Sequence, residues 1–404
     1  MFSRLKDEKA LNITKKKIID ALIYAGVLMH ISMFFPPPFL GSDARDISIW
    51  VAFILILFTR KSDIKEVFLN KLSLLFIVYF VFVSISTVFY VGLSQAYDDI
   101  IFGSPAWGFL LFFSLQMLCK SKNKNDNIFA LSVYPFFLMY VAIGVFIPLC
   151  MGIDYGFPGV SAFGAWHNQT ARHWNLVFPV SFTSLFLINN KKIKYILLFF
   201  IFLSLIGIPL TLSRGGIISF ALLLILIMAG FMFNKPDLWK SARRYIAAGA
   251  VAFSGAILIF WGRFARRFSE ADWQSISGRA DKIWPEILGV IKERPLTGYG
   301  FTGVYRTISF YTGHSHNFFL QVVFEGGIIG FIIFLCLWFF YLKESLRQIY
   351  KEKVSMYGLS FLCAAVAVIM VHGLIEIFSF EIFSFFLLSI WFYEAYRRLN
   401  YEPE

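Results

Sequence analysis

Apolar runs long enough to cross a lipid bilayer recur along almost the whole of this chain, and that recurrence limits the fold more than any motif does. Twelve candidate spans can be counted, near residues 18–35, 46–60, 72–92, 101–119, 128–150, 174–188, 195–212, 214–233, 245–262, 317–341, 356–373 and 376–396, the second and sixth being short. A soluble core needs no apolar runs of this number and length. With 58% hydrophobic residues, 50 Phe and only 15% charged residues, the composition agrees. The predicted fold is an all-α integral membrane protein of about twelve transmembrane helices. Residues 1–404 read as a single polytopic membrane domain, with a long, partly helical loop at 263–316 between helices nine and ten.

The distribution of Lys and Arg predicts the orientation. Of the 37 Lys and Arg, 26 fall on the side that holds both termini and 11 on the other, eight of these in the loop 263–316. Both termini are therefore expected in the cytoplasm, and the long loop outside. A formal charge of +12 raises the question of nucleic acid, but the positive-inside pattern and one special loop account for it. The first span follows a basic segment like that of a signal peptide. It ends in Phe34-Phe35-Pro36-Pro37-Pro38 with no small-residue cleavage site, so a retained helix is expected. Cys119, Cys150, Cys336 and Cys363 show neither zinc spacing nor a disulfide framework, and free thiols are expected.

Polar residues concentrate on the outer side. His314-Ser315-His316-Asn317 stands directly against the tenth span. Glu325 follows nine residues below His316, at a helical depth of roughly 13 Å, where an ionisable group faces a bundle interior or a wet cavity. Gly326 and Gly330, four apart, predict a seam at which a second helix approaches closely. The loop 151–173 carries His167, Asn168, Arg172 and His173 among aromatic residues, a pattern suited to carbohydrate or head groups and equally to an ordinary interfacial belt. The loop 263–316 opens with Arg263, Arg266 and Arg267. Ser275 or Ser277 is expected to cap an amphipathic helix with apolar Ile283, Trp284, Ile287, Leu288 and Ile291, Arg279 in its first turn and Pro285 kinking or shortening it. Pro295-Leu296-Thr297-Gly298-Tyr299-Gly300 should end it with a turn. Ser213-Arg214-Gly215-Gly216 joins two spans with almost no loop, so Arg214 sits at a helix N-terminus that already favours an anion. A snorkelling arginine at a tight turn is the plainer reading of that site alone.

Taken together these motifs carry a resemblance. His316-Asn317 followed by Gly327 and Gly330, Ser213-Arg214-Gly215, and Ser277-Gly278-Arg279 with Trp284, Pro295 and Gly298-Tyr299-Gly300 resemble the O-antigen ligase and polymerase superfamily over roughly residues 160–380. The resemblance implies a multi-helix bundle with a large outer loop in the bacterial inner membrane and an undecaprenyl-pyrophosphate-linked glycan as donor. It implies lipid A–core as acceptor for a ligase, or a growing glycan chain for a polymerase. By the same resemblance Arg214 and Arg279 hold the pyrophosphate and His316 is the catalytic base. Asn317, His314, Arg172, His167 and Arg263 are further candidates for substrate contact. The related protein-O-oligosaccharyltransferases usually carry a large additional outer domain at the C-terminus, and none is expected here.

The residues are suited to that chemistry. Pyrophosphate leaves well once its charge is held, and the planar, bidentate guanidinium of arginine suits this better than lysine. The acceptor hydroxyl must lose a proton as it attacks the anomeric carbon, and a neutral histidine suits that role near neutral pH. One base on the acceptor side implies inversion. The scheme calls for no metal and no cofactor, and Asp98-Asp99 is the only candidate metal-binding pair. A lipid-linked glycan flippase is the competing class, since Glu325, His372 and Glu376 within apolar spans suit a transporter. The outward bias of convergent charge speaks against it. Ligase is favoured over polymerase by chain length and the single dominant outer loop, while the Ser-Gly-Arg run keeps exopolysaccharide polymerases in view.

Overall fold

In the computed structural model of the chain, all residues are described except 1, 33–41, 61–63, 102–103, 152–161, 163–166, 189, 235, 270–278, 302–314, 352–355, 375, 377–382, 384–386, 388 and 402–404. The described residues are helical with no strand. In order, the helices are α1 (Phe2–Ser32), α2 (Ser42–Thr59), α3 (Ile64–Phe68), α4 (Lys71–Val91), α5 (Leu93–Ile101), α6 (Ser104–Lys120), α7 (Lys124–Cys150), α8 (His167–Leu187), α9 (Lys191–Leu210), α10 (Arg214–Asn234), α11 (Pro236–Ile259), α12 (Trp261–Ser269), α13 (Trp284–Ile291), α14 (Phe318–Lys351), α15 (Met356–Ala364) and α16 (Phe392–Tyr401). The protein is an all-α integral membrane protein. Among the described residues six helices are long and apolar enough to cross a membrane, or seven if the bent pair Leu93–Ile101 and Pro105–Lys120 forms one span.

Phenylalanines knit the bundle. Phe76 of α4 stacks on Phe112 of α6 with centroids 4.2 Å apart, and Phe178 of α8 meets Phe220 of α10 edge to face at 4.9 Å. Where side chains are small, backbones close in: a Cβ built on Gly216 of α10 would lie 2.4 Å from that of Ala171 on α8. Asn175 reinforces this seam by donating to Gly216 O at 2.8 Å and Ser219 Oγ at 2.6 Å. At the opposite end Arg60 joins Asp20 and Asp126, each at 2.7 Å, and Tyr24 Oη donates to Asp126 at 2.6 Å. Paired and hydrogen-bonded in this way, charges can be buried between α1, α2 and α7.

Two expectations about the outer loops need correction. The loop 151–173 is shorter than expected, because α8 begins at His167 and holds Asn168, Arg172 and His173 on its first two turns. Polarity excluded these residues from the apolar run, but their side chains are engaged inside the protein. Thr170 Oγ1, for instance, accepts from Ala162 N at 3.0 Å. The loop 263–316 opens with the nine-residue α12, on which Arg263 is exposed. Arg279 lies in a π-turn, Arg279–Ile283, that precedes α13, with Pro285 at the helix start. The expected caps Ser275 and Ser277 lie outside the described residues.

The largest departure is in α14. The expected close-packing pair was Gly326 and Gly330, yet added Cβ atoms there would make only ordinary contacts, at 3.5 Å to Val83 and 3.6 Å to Phe82. Gly327 is the residue that permits close approach. Its φ of 58° and ψ of −162° break the helix, a conformation open essentially to glycine. The break frees backbone groups that must find partners, and Pro295–Gly300 supplies them. Tyr299 N and Gly300 N donate to Phe324 O and Glu325 O at 2.9 and 2.8 Å, while Ile328 N and Ile329 N donate to Pro295 O and Leu296 O at 2.8 and 3.2 Å. Pro295–Gly300 is therefore more than the turn that ends α13. It lies along the broken helix and is clasped from α4, where Thr87 Oγ1 accepts from Phe301 N at 2.8 Å.

Candidate active site

Pinning Pro295–Gly300 to α14 fixes the N-terminal end of that helix, and His316 lies just before it. Asn317 caps α14 by accepting from Leu320 N at 3.0 Å, and its amide donates to Leu374 O at 3.2 Å. Both ends of this side chain are thus occupied in positioning the helix. Ser315 is buried, with N bonded to Gln321 Oε1 at 3.3 Å and O accepting from the Trp284 indole at 3.0 Å. Gln321 in turn donates to Glu325 Oε1 at 2.8 Å, so the deep carboxylate faces the bundle and not lipid. Held from both sides, His316 adopts φ 51°. A non-glycine residue in this region carries local strain, of the order of 1–3 kcal/mol.

Only two non-glycine residues among those described have positive φ, and the second is Leu212, also at 51°. It forms the turn before Ser213, whose Oγ caps α10 by accepting from Gly216 N at 3.2 Å. Arg214 is the first residue of that helix, half-buried at its N-terminus. The two unusual backbones therefore stand at His316 itself and two residues before Arg214, the residues that sequence chemistry singled out.

Glu376 is the hub that brings the cluster together. Its Oε1 accepts from Asn168 Nδ2 at 2.7 Å and stands 3.5 Å from Arg279 Nη2, while Oε2 lies 3.5 Å from His316 Nδ1. One carboxylate thereby joins α8, the π-turn before α13, the start of α14 and the bend after His372–Leu374. Its charge also acts on the buried Arg172. The helix that Arg214 opens packs against α8 where Gly216 meets Ala171, three residues from Asn168. Such an arrangement can orient an imidazole through Nδ1 and leave Nε2 to accept a proton, with guanidinium groups beside it for an anion.

The remaining candidates fall in different places. His314 lies outside the described residues, and His167 opens α8 with its side chain undescribed. His173 is buried in α8, its Nδ1 2.6 Å from Gln169 O and its ring edge-on to Phe137. His372 is fully buried, and its backbone oxygen accepts from Glu376 N at 3.0 Å. No group of three His, Cys, Asp or Glu able to hold a metal ion occurs among the described residues. Sequence reasoning set Glu376 aside as a transporter-like acid and gave Asn168 no role of its own. Four-residue spacing from His372, at the mouth of an apolar span, was the signal that could have marked Glu376.

Fold and cluster define a polytopic membrane protein with a histidine–carboxylate–arginine site at one end of its helices. The family described as O-antigen ligase matches residues 199–335. The chain is 26% identical over 408 residues to the ComP-specific O-oligosaccharyltransferase of Acinetobacter baylyi, covering 94% of this chain and 72% of that protein. These matches support a place in the O-antigen ligase superfamily, and glycan transfer by a ligase-type enzyme is the activity they support. The matched segment holds Arg214, Arg279 and His316, but Asn168 and Glu376 lie outside it.

Proposed function

We propose that this protein transfers a glycan from undecaprenyl pyrophosphate to a sugar hydroxyl of lipid A–core, with inversion, at the periplasmic face of the bacterial inner membrane. The observation that carries this reading is the contact of Glu376 with both His316 and Arg279. Glu376 holds Nδ1–H of His316, so Nε2 takes the proton of the acceptor hydroxyl as its oxygen attacks the anomeric carbon. A glycosidic C–O bond forms, the C–O bond to phosphate breaks, and undecaprenyl pyrophosphate leaves as an anion held by Arg214 and Arg279. Charge on the leaving group is met by guanidinium, so the step needs no general acid and no metal. Arg172 and Arg263 are reserve contacts for the donor, and His167 and His314 for the glycan. In the same reading the loop 263–316 is periplasmic, 1–404 is one membrane domain, and both termini are cytoplasmic.

A second reading concerns the acceptor alone. The Acinetobacter baylyi relative is named for specificity towards ComP, which favours transfer to an acceptor other than lipid A–core, while a polymerase would extend a second lipid-linked glycan. The test is transfer in detergent with purified protein and one lipid-linked donor, offered lipid A–core, a second lipid-linked glycan and ComP in separate reactions. Product only with lipid A–core supports the ligase. Product only with one of the others reassigns the acceptor, and no product with any acceptor while the donor is moved across vesicles returns the protein to the flippase class.

A further inference from the structure

At the end of the bundle opposite His316, a cavity of about 580 Å³ opens between the starts and ends of four helices. Along α14 its lining begins some 22 residues beyond Phe318, roughly 33 Å away at helical rise, and the Lys and Arg asymmetry assigns this end to the cytoplasm. Five cations line it, Lys71, Lys120, Lys343, Arg347 and Arg397, against two carboxylates, Glu344 and Glu394. Both carboxylates are already engaged. Glu344 is paired with Arg347, and Glu394 accepts from Arg398 at 3.1 Å and lies 3.9 Å from Lys120. Lys120, the buried cation, is paired with Glu66 at 3.0 Å, so the excess of positive charge at the cavity rests on Lys71 and Lys343 at its exposed rim.

An independent feature points the same way. Gln348 is 5% exposed and donates Nε2 to Ile390 O at 3.0 Å, but its buried Oε1, in the cavity lining, has no hydrogen-bond partner among the described residues. A buried acceptor left without a donor costs about 1–3 kcal/mol, so an occupant that supplies a donor is favoured there. Phe340 and Trp391 give the same lining an apolar side. We propose that this cavity binds a phosphate that carries a hydroxyl donor, the chemistry of a glycerophosphate head group. The phosphate is held by Lys71 and Lys343, the hydroxyl donates to Gln348 Oε1, and Phe340 and Trp391 flank the chain beyond. Basic pockets between membrane helices on the cytoplasmic side are suited to anionic lipid heads.

The test is native mass spectrometry of the full-length protein in detergent, titrated with dioleoylphosphatidylglycerol, with dioleoylphosphatidylcholine, and with inorganic phosphate as competitor. Lys71 and Lys343 are both exposed, so Lys71→Gln with Lys343→Gln is expected to fold. At about 1 kcal/mol for each charge, the pair should weaken phosphatidylglycerol binding about thirtyfold. Gln348→Leu should weaken it severalfold, and His316→Ala should bind as the parent does, which separates this site from the catalytic reading. Saturable phosphatidylglycerol binding that phosphate leaves intact supports a lipid source, and displacement by phosphate supports a soluble one. Equal binding by the parent and the lysine pair, or phosphatidylcholine binding as well as phosphatidylglycerol, overturns the proposal.

Discussion

Replacing Gly327 by alanine probes the joint on which the active-site end of α14 depends. A Cβ there would fall 2.4 Å from the carbonyl carbon of Leu296 and 2.5 Å from its oxygen. These are backbone atoms, so no side chain can turn aside. The φ of 58° adds strain of about 1–3 kcal/mol for any residue with a Cβ. Moving Leu296 away disturbs the four main-chain hydrogen bonds between Pro295–Gly300 and α14. Leaving even one of their groups buried without a partner costs about 1–3 kcal/mol more. The sum is about 2–6 kcal/mol, a large share of the stability of an ordinary domain.

Gly330→Ala is the control. Its Cβ would meet Phe82 at 3.6 Å, and alanine favours helix by about 1 kcal/mol over glycine. Thermal unfolding of the detergent-purified proteins should therefore put Gly327→Ala roughly 2–7 °C below the parent, with Gly330→Ala at or above it. Transfer activity should fall in Gly327→Ala even below its unfolding temperature, because His316 is positioned from this joint. If the two variants unfold together, the helix is continuous at 327 and the account of Pro295–Gly300 is wrong.

Other expectations follow from the same geometry. His316→Ala should lower turnover at saturating donor by roughly a hundred- to ten-thousand-fold with donor binding kept, while alanine at His314, His167, His173 or His372 stays within about tenfold; a dead His167 or His173 variant beside an active His316→Ala would move the base to α8. Arg214→Ala and Arg279→Ala should abolish transfer without loss of expression, with lysine rescuing only in part, and full activity in both alanine variants would place the pyrophosphate elsewhere. Glu376→Gln keeps the shape but removes the charge that aligns His316 and Arg279, so kcat should drop by roughly tenfold or more with little change in KM; a rise in KM alone would make Glu376 a substrate contact. In intact cells an impermeant thiol reagent should label Ser275→Cys and not Lys351→Cys, and the reverse pattern would invert the topology.

The parts legible in the sequence were those carried by local chemistry. Apolar runs of bilayer length predicted helices, and the ends of α4, α9 and α10 lie within a few residues of expectation. Arg214 at a helix N-terminus and His316 at a helix start followed from neighbours in the chain. What escaped was made by distant contacts. The start of α8 was placed seven residues late because His167–His173 is polar, and that polarity is matched by groups far along the chain, with Asn168 and Glu376 separated by 208 residues. The break at Gly327 was hidden by an apolar run that reads straight through it. Its partners lie about 30 residues earlier, and no periodicity records a bond between two stretches of backbone.

Glu376 also accounts for how such a site stays folded before substrate arrives. Arg279 and Arg172, beside a titratable histidine at a membrane surface, would repel one another and resist burial if nothing opposed them. A single carboxylate, with one oxygen towards Arg279 and Asn168 and the other towards His316, supplies the countercharge without occupying the far side of either group. The 3.5 Å separations from Arg279 and His316 are longer than the 2.7–2.9 Å of a strong charge-assisted hydrogen bond, so neither side chain is locked. Under the proposed function, an arriving pyrophosphate would draw the guanidinium towards its own oxygens and leave the carboxylate to the imidazole. Holding the leaving group would thereby tighten the pairing of the base, in the one state where an acceptor proton has to be taken.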